Sequence, residues 1–142
     1  MSSSVKQILA GKPGGLVSID PEATLESAMR MMVEHNVGVL PVSDGKRLVG
    51  ILSERDFLRR VLYRGVSLQA TVRDVMTERI FTVQSSDSIE RCMEMMTEQR
   101  VRHLPVVDAG RLVGVLSIRD VVRVTVEDQQ STIEQLESYI RA

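Results

Sequence analysis

The sequence predicts an α+β fold in which two β-α-β-β-α repeats pack with pseudo-two-fold symmetry and a long helix follows at the C-terminus. Residues 16–62 align with residues 80–126 at a constant offset of 64 without a gap, and 19 of the 47 aligned positions are identical. Within each copy, short apolar runs flank one apolar stripe at helical spacing. A unit of about 50 residues cannot bury its apolar face alone, so the two copies are expected to share a core.

The first repeat is predicted over residues 16–65, after an N-terminal segment, residues 1–15, that holds a short helix. It opens with a strand at Leu16–Ile19 and continues with a helix. The residues that share the expected core face of this helix are Leu25, Ala28, Met29 and Met32. Two strands joined by the turn Asp44-Gly45 follow, at Val37–Val42 and Leu48–Leu52. A last helix begins after Ser53, and its expected core residues are Phe57, Leu58, Val61 and Leu62.

The second repeat is predicted over residues 80–126, after a linker, residues 66–79, with a short helix at Val72–Met76. A strand at Ile80–Val83 opens it. The expected core residues of its first helix are Ile89, Cys92, Met93 and Met96. Two further strands lie at Val101–Val107 and Leu112–Leu116, and a last helix begins after Ser117.

The C-terminal extension, residues 127–142, continues this last helix to about Ile140. Positions at alternating spacings of four and three form a heptad-like stripe of Val122, Val126, Gln129, Ile133, Leu136 and Ile140. Two interpretations stay open. The helix folds back on its own repeat, or it pairs with a second subunit and makes the protein a homodimer.

The composition excludes several classes of partner. With 18 basic and 19 acidic residues, the chain lacks the basic surplus of a nucleic-acid-binding protein. No apolar run reaches the roughly 20 residues that span a bilayer, and no signal peptide opens the chain. The single Cys92 fits a reducing compartment, so a cytoplasmic protein without a membrane partner is expected. Two His and one Cys without clustering predict no metal site, and His35 is expected to be a solvated residue at a helix end.

One seven-residue segment occurs in both repeats and keeps its polar residues. We call Gly50–Asp56 and Gly114–Asp120 the signatures. Ser at the N-cap and Asp three residues later form a capping box. Capping requires no Arg, yet both signatures carry one. A helix N-terminus with a guanidinium beside it suits a phosphate, and a carboxylate suits a ribose diol, so the combination favours a nucleotide.

Gly11-Lys12-Pro13-Gly14-Gly15 is glycine-rich and holds a lysine, as phosphate loops do. The spacing differs from that of a phosphate loop, and no Lys-Ser or Lys-Thr pair follows. The segment is therefore interpreted as a connector.

The two signatures, together with Leu40-Pro41-Val42 and Leu104-Pro105-Val106, resemble those of the tandem cystathionine-β-synthase (CBS) domain pair, also called the Bateman module. The resemblance covers residues 5–126. It implies clefts between the repeats that bind an adenosine-containing ligand, with AMP as the first choice and ATP, NAD(H) or S-adenosylmethionine as alternatives. The ligand residues that it implies are Ser53, Arg55, Asp56, Ser117, Arg119, Asp120, Ser18, Ile19, Val37, Gly38, Val39, Pro41, Thr82, Val83, Val101, Arg102, His103 and Pro105.

The residues before each proline differ between the copies. We call residues 37–39 and 101–103 the pre-proline segments; the first is Val-Gly-Val and the second Val-Arg-His. If each signature works with the segment of the other repeat, Asp56 shares a cleft with Arg102 and His103. The two clefts are then expected to differ in affinity. The alternative is that Arg102 and His103 are exposed residues at a strand edge.

The leading functional hypothesis is a regulatory module that binds an adenine nucleotide and transmits a conformational change to an effector protein. A structural or interaction protein without nucleotide binding is the alternative. Enzymatic activity is not expected, because Asp56 and Asp120 occupy equivalent positions, whereas acid–base pairs need unlike environments.

Overall fold

The computed structural model describes residues 4–12 and 15–141, and it confirms the predicted α+β class. Each repeat contains one two-stranded antiparallel hairpin. In chain order the elements are α1 (Val5–Gly11), α2 (Leu25–His35), β1 (Val39–Asp44), β2 (Arg47–Ser53), α3 (Glu54–Asp56, continuing as a π-helix over Phe57–Tyr63), α4 (Val72–Val75), α5 (Ile89–Gln99), β3 (His103–Asp108), β4 (Arg111–Ser117) and α6 (Ile118–Arg141). The order α2-β1-β2-α3 recurs as α5-β3-β4-α6.

The strands predicted at Leu16–Ile19 and Ile80–Val83 shrink to one bridging residue each, Ile19 and Val83. Each bridging residue makes two backbone hydrogen bonds to the first strand of its hairpin, at distances from 2.8 to 3.1 Å. The pairing does not extend towards the N-terminus because the next ladder bond needs an N–H from Pro41 or Pro105, and proline has none.

The helices α2 and α5 are each capped by a side chain at the N-terminus, but each buries a narrower face than expected. The Oγ1 of Thr24 accepts from the Ser27 N–H at 3.1 Å, and the Oγ of Ser88 accepts from the Arg91 N–H at 3.2 Å. The buried residues are Leu25, Ala28 and Met32 in α2 and Ile89, Cys92 and Met96 in α5. Met29 and Met93, predicted in the core, are exposed. The prediction was wrong because the elements packed against each helix cover only a narrow part of its apolar stripe.

Each of the two short helices completes the core of one repeat. Val5 and Ile8 of α1 lie in the apolar cluster of the second repeat, although α1 precedes the first. Val72 and Val75 of α4 lie in the cluster of the first repeat, although α4 leads into the second. This crossed arrangement ties the repeats together, and it explains how two small units share enough apolar burial to be stable.

The repeats also meet directly. The strand β2 packs beside β4, and the Leu112 N–H donates to the Lys46 carbonyl at 2.8 Å. A movement of one hairpin is therefore coupled to a movement of the other.

The helices that follow the signatures expose part of their predicted core face. Phe57 and Val61 pack on the first core, whereas Leu58 and Leu62 are exposed, so their predicted burial was wrong. The physical reason is that this face of the helix lies opposite the core. The predicted long C-terminal helix is confirmed as α6, a helix of 24 residues.

Candidate ligand site

Both signatures form the capping boxes that their sequences predict. In the first, the Asp56 N–H donates to Ser53 Oγ at 3.3 Å, and the Ser53 N–H donates to Asp56 Oδ2 at 2.8 Å. In the second, the corresponding distances between Ser117 and Asp120 are 3.1 and 3.0 Å. Each carboxylate is thus held at the start of a helix by its own backbone.

In both signatures the arginine takes no part in the helix cap. Arg55 and Arg119 are exposed, and among the described residues neither takes part in a salt bridge. Both guanidinium groups therefore remain available for an anion beside the helix N-terminus.

Each signature is bonded to the pre-proline segment of its own repeat. The Glu54 N–H donates to the Gly38 carbonyl at 3.0 Å, and the Ile118 N–H donates to the Arg102 carbonyl at 2.7 Å. In the hairpins, Val39 pairs with Ser53 and His103 pairs with Ser117. Arg102 and His103 thus lie beside the signature of their own repeat. This differs from the expectation that they share a cleft with Asp56 of the first repeat.

The two copies present different charge next to the pre-proline segment. A Cβ on Gly38 would lie 3.2 Å from the carboxyl group of Glu54, so an acidic group borders the first segment. At the equivalent positions the second repeat has Arg102 and Ile118. The first copy is therefore the more acidic and the second the more basic.

His103 contributes little of that positive charge near neutral pH. Its partial burial lowers its pKa, and the charges of Lys12 and Arg102 lower it further, against the opposing charge of Asp120. The imidazole is consequently neutral at neutral pH. The cation that the second segment offers is Arg102, whose side chain is exposed.

The carboxylate of the second signature already holds a cation. The Lys12 ammonium lies 2.8 Å from Asp120 Oδ2 and donates at 3.0 Å to the Val115 carbonyl. The side chain of Asp120 is 8% exposed. Burial would raise the pKa of Asp120, but the hydrogen bonds from Lys12 and Ser117 and the charge of Lys12 outweigh it, and the pKa lies below its ordinary value. Asp120 is thus ionised in the folded protein.

Nothing in the sequence around Lys12 marks it as a partner of a signature. The glycine-rich segment around Lys12 was interpreted as a connector. Two residues of that segment, Pro13 and Gly14, lie outside the described residues. The contact joins positions 108 residues apart. No local pattern predicts a contact at that separation.

Several of the other predicted ligand residues turn their side chains into the cores. Ile19, Pro41, Val83 and Pro105 are buried. Their backbone groups are already paired, since the Ile19 N–H donates to the Pro41 carbonyl and the Val83 N–H donates to the Pro105 carbonyl. Val37, Val39 and Val101 are partly buried, and Thr82 is exposed. Ser18 accepts a hydrogen bond from Ser43 at 3.2 Å, between their hydroxyl oxygens.

Ser18 also lines a depression of about 270 Å³ where the repeats meet. Its lining residues are Leu16, Ser18, Ser43, Gly45, Lys46, Arg111, Leu112 and Val113. Neither signature reaches this depression, and among its lining residues only Ser18 was predicted from the sequence. The depression is therefore separate from both signatures.

In the chain as described, residues 4–12 and 15–141, no group of three His, Cys, Asp or Glu side chains is placed to hold a metal ion. Within the same ranges, no helix has the length and apolar character needed to cross a membrane.

The chain is similar to proteins built from CBS domains. The family model for the CBS domain matches residues 5–63 and 72–127. The mitochondrial CBS domain-containing protein CBSX3 of Arabidopsis thaliana is 33% identical, with 99% of this chain and 73% of that protein aligned. A signal-transduction protein with CBS domains from Burkholderia ambifaria, described as putative, is 38% identical, with a TM-score of 0.80 over 89% of this chain and 96% of that one.

A third similar protein has been solved with a nucleotide. The CBS domain protein PAE2072 of Pyrobaculum aerophilum, complexed with AMP, is 30% identical, with a TM-score of 0.75 over 83% of this chain and 89% of that one. Both matched segments carry the capping-box signature, and each includes the short helix that precedes a repeat. The chain belongs to the CBS domain family, of which it contains a tandem pair.

Proposed function

We propose that this protein is a regulatory module that binds an adenosine-containing nucleotide, with AMP as the first choice. The observation that carries the proposal is the geometry of the first signature. There Asp56 is partly exposed, is held in place by Ser53, and has an exposed Arg55 beside it. The complex of the Pyrobaculum relative with AMP supports the same ligand class.

Each group of the signature has a chemical role in this proposal. The hydroxyl groups of a ribose donate to the carboxylate of Asp56, which accepts at Oδ1 while the backbone and hydroxyl of Ser53 occupy Oδ2. A phosphate binds the Arg55 guanidinium, and the positive end of the helix dipole beside Glu54 favours its negative charge. The base lies against the pre-proline segment. Ser18 borders the first cleft, and Thr82 borders the second at the equivalent position of its repeat.

ATP, NAD(H) and S-adenosylmethionine present the same ribose and remain alternative ligands. The acidic Glu54 beside Gly38 disfavours a long chain of phosphates in the first cleft, because like charges repel. A monophosphate is therefore preferred over a triphosphate there.

Regulation requires that the ligand favour one arrangement of the repeats over another. The contact between β2 and β4 and the bond from Leu112 to Lys46 lie between the repeats. A ligand bound to a signature lies at the end of β2 or β4, so it shifts that strand and changes the contact between the repeats. We propose that an effector protein reads this change, in the cytoplasm, and that the module has no catalytic activity of its own.

A thermal-shift panel tests the proposal against a structural protein without nucleotide binding. The native protein is heated with AMP, ADP, ATP, NAD and S-adenosylmethionine, each at concentrations from micromolar to millimolar. A ligand that binds the native state raises Tm by mass action, by a free energy of about 2.7 kcal/mol at a hundredfold excess over Kd. Failure of every nucleotide to raise Tm would favour the structural alternative.

We further propose that the protein is a homodimer, because exposed apolar residues recur at equivalent positions. Leu58 and Leu62 on the helix after the first signature correspond to Val122 and Val126 on α6, and all four are exposed. Ile133, Leu136 and Ile140 extend this surface along α6 and are exposed too. A paired apolar surface on two symmetry-related helices fits a second copy of the same chain.

A further inference from the structure

Lys12 is placed at the second signature by rigid structure rather than by a flexible arm. The helix α1 starts with a capping box between Ser4 and Gln7 and buries Val5 and Ile8 in the second core. It ends at Gly11, so Lys12 is the first residue beyond a docked helix. Because α1 already fixes the backbone before Lys12, little further backbone entropy is lost when the ammonium binds Asp120.

The first repeat satisfies the equivalent backbone group in another way. In that repeat the Ile51 carbonyl accepts from the Thr77 N–H at 2.9 Å. In the second repeat the equivalent carbonyl, that of Val115, accepts from the Lys12 ammonium. A side-chain cation thus stands in the second repeat where the first has a backbone amide, and among the described residues Asp56 has no salt bridge.

The ammonium covers the carboxylate that a ribose would have to reach. Asp120 Oδ2 accepts from Lys12 at 2.8 Å and from the Ser117 N–H at 3.0 Å, which fills its two lone pairs. Arg123 lies 3.8 Å from Oδ1. The side chain of Asp120 is 8% exposed, whereas Asp56 is partly exposed, so a diol reaches this carboxylate only after Lys12 withdraws. Withdrawal leaves the buried Asp120 without its closest cation.

We propose that Lys12 is a built-in competitor that closes the second cleft to nucleosides and makes the first cleft the principal binding site. The proposal rests on the function proposed above, since it describes regulation of that site. Binding at the second cleft is weakened by the fraction of molecules in which Lys12 is withdrawn. A fraction of about one tenth weakens it about tenfold.

Isothermal titration calorimetry of the full chain with AMP tests this. Asp56→Asn disables the first cleft, so that the Asp56→Asn protein reports on the second cleft alone. Adding Lys12→Met, which keeps the length of the side chain without its charge, is expected to raise the AMP affinity of that cleft at least about tenfold. Lys6→Met is the control, because Lys6 is an exposed lysine on α1, the helix that precedes Lys12, and it is expected to change the affinity less than about twofold.

The outcomes separate the two proposals. AMP binding to two equal sites of the wild-type protein, with no effect of Lys12→Met, overturns the competitor and leaves the proposed function standing. A loss of affinity in Lys12→Met also overturns it, since Lys12 would then be a phosphate ligand. Absence of AMP binding in the wild-type protein and in every variant overturns both proposals.

A measurement without ligand keeps the contact itself testable. A double-mutant cycle of Lys12→Met and Asp120→Asn on urea unfolding is expected to show coupling between the two side chains. Additive effects of the two substitutions would show that the ammonium does not hold the carboxylate, and the proposal would fail.

Discussion

The side chain of Leu9 closes directly over Gly114. A Cβ on residue 114 would lie 2.8 Å from Leu9 Cδ2, closer than packed side chains approach. The first repeat has the same relationship, since a Cβ on Gly50 would collide with the Sδ of Met76. The glycine that opens each signature is therefore required by the packing of a short helix, whereas the serine and the aspartate that follow serve the helix cap.

Gly114→Ala is expected to destabilise the protein by about 1 to 3 kcal/mol, because the new methyl group forces Leu9 and α1 away from β4. Urea unfolding followed by circular dichroism measures the change. Gly11→Ala is the control: no atom lies within 4 Å of its Cβ position, and alanine favours the helix, so its stability should be equal or higher. Equal stability of Gly114→Ala and wild type would contradict the proposed role of this glycine.

Asp56→Asn is expected to weaken AMP binding at the first cleft about tenfold or more, because a hydrogen bond to a charged group is worth about 1.5 to 3 kcal/mol. Calorimetry on the otherwise wild-type protein measures the loss. Asp44→Asn, an exposed aspartate at the hairpin turn, should bind as wild type does. Because Asp56 also caps its helix, the stability of each variant is measured beside its affinity. Unchanged affinity of a folded Asp56→Asn protein would exclude Asp56 as the ribose ligand.

The ion pair of Asp120 makes stability depend on pH in a defined direction. Its pKa is below the ordinary value despite burial, because Lys12 and Ser117 stabilise the charged form. The resulting stability is complete above the carboxyl pKa of the unfolded chain, about 3.9, and is lost as pH falls through the lower pKa of the folded state. Arg123 and His103 face the same carboxylate and shift this window only slightly.

Lys12→Met should therefore cost about 1 to 2 kcal/mol at neutral pH and progressively less below about pH 4. Urea unfolding at a series of pH values gives the difference in unfolding free energy from wild type. Lys6→Met is the control. It gives the pH dependence of the unfolding free energy when a lysine charge is removed from α1, away from Asp120. A difference between Lys12→Met and wild type that does not shrink in acid would contradict the assignment.

Leu62→Asp is expected to convert the proposed dimer to monomer, because it puts a charge into the apolar surface of the helix after the first signature. Sedimentation velocity measures the mass. Val33→Asp is closely matched, since both side chains are 75% exposed but Val33 lies on α2. A wild-type monomer, or a Leu62→Asp protein that remains dimeric, would exclude this surface.

Cys92 is expected to react with a thiol reagent only when the second core opens. Burial raises the pKa of its thiol to about 11, and the charge of Asp87 adds to the shift. At pH 8 about one thousandth of the thiol is then thiolate in the native protein, against roughly a quarter in an unfolded chain. Colorimetric labelling with and without urea compares the two rates. Rapid labelling of the native protein would show that the second core is not closed around α5.

Local chemistry allowed much of the fold and part of the site to be predicted. Capping boxes join residues three apart, and the turn after Asp44 joins neighbours, so both are visible in short stretches of sequence. The repeat offset predicted that the second signature would be built like the first. The capping geometry of Ser117 and Asp120 confirms this.

Residues predicted to be buried but found exposed share one cause. Met29, Met93, Leu58 and Leu62 all lie on apolar helical stripes, yet periodicity does not say how wide a face the partner covers. On α2 and α5 the packed neighbours cover less than the stripe. On the helix after the first signature, the exposed leucines repeat at positions 122 and 126, where they support the proposed dimer.

By itself, the sequence determined the repeat, the order of elements, the capped helices and the paired Ser-x-Arg-Asp chemistry, because these depend on contacts within a few residues. Only the tertiary structure decided that α1 crosses to the second repeat, that Leu9 covers Gly114, and that Lys12 reaches Asp120. These contacts join residues about a hundred positions apart, and they form only when both cores have assembled. Two signatures that are nearly identical in sequence therefore differ in charge and access.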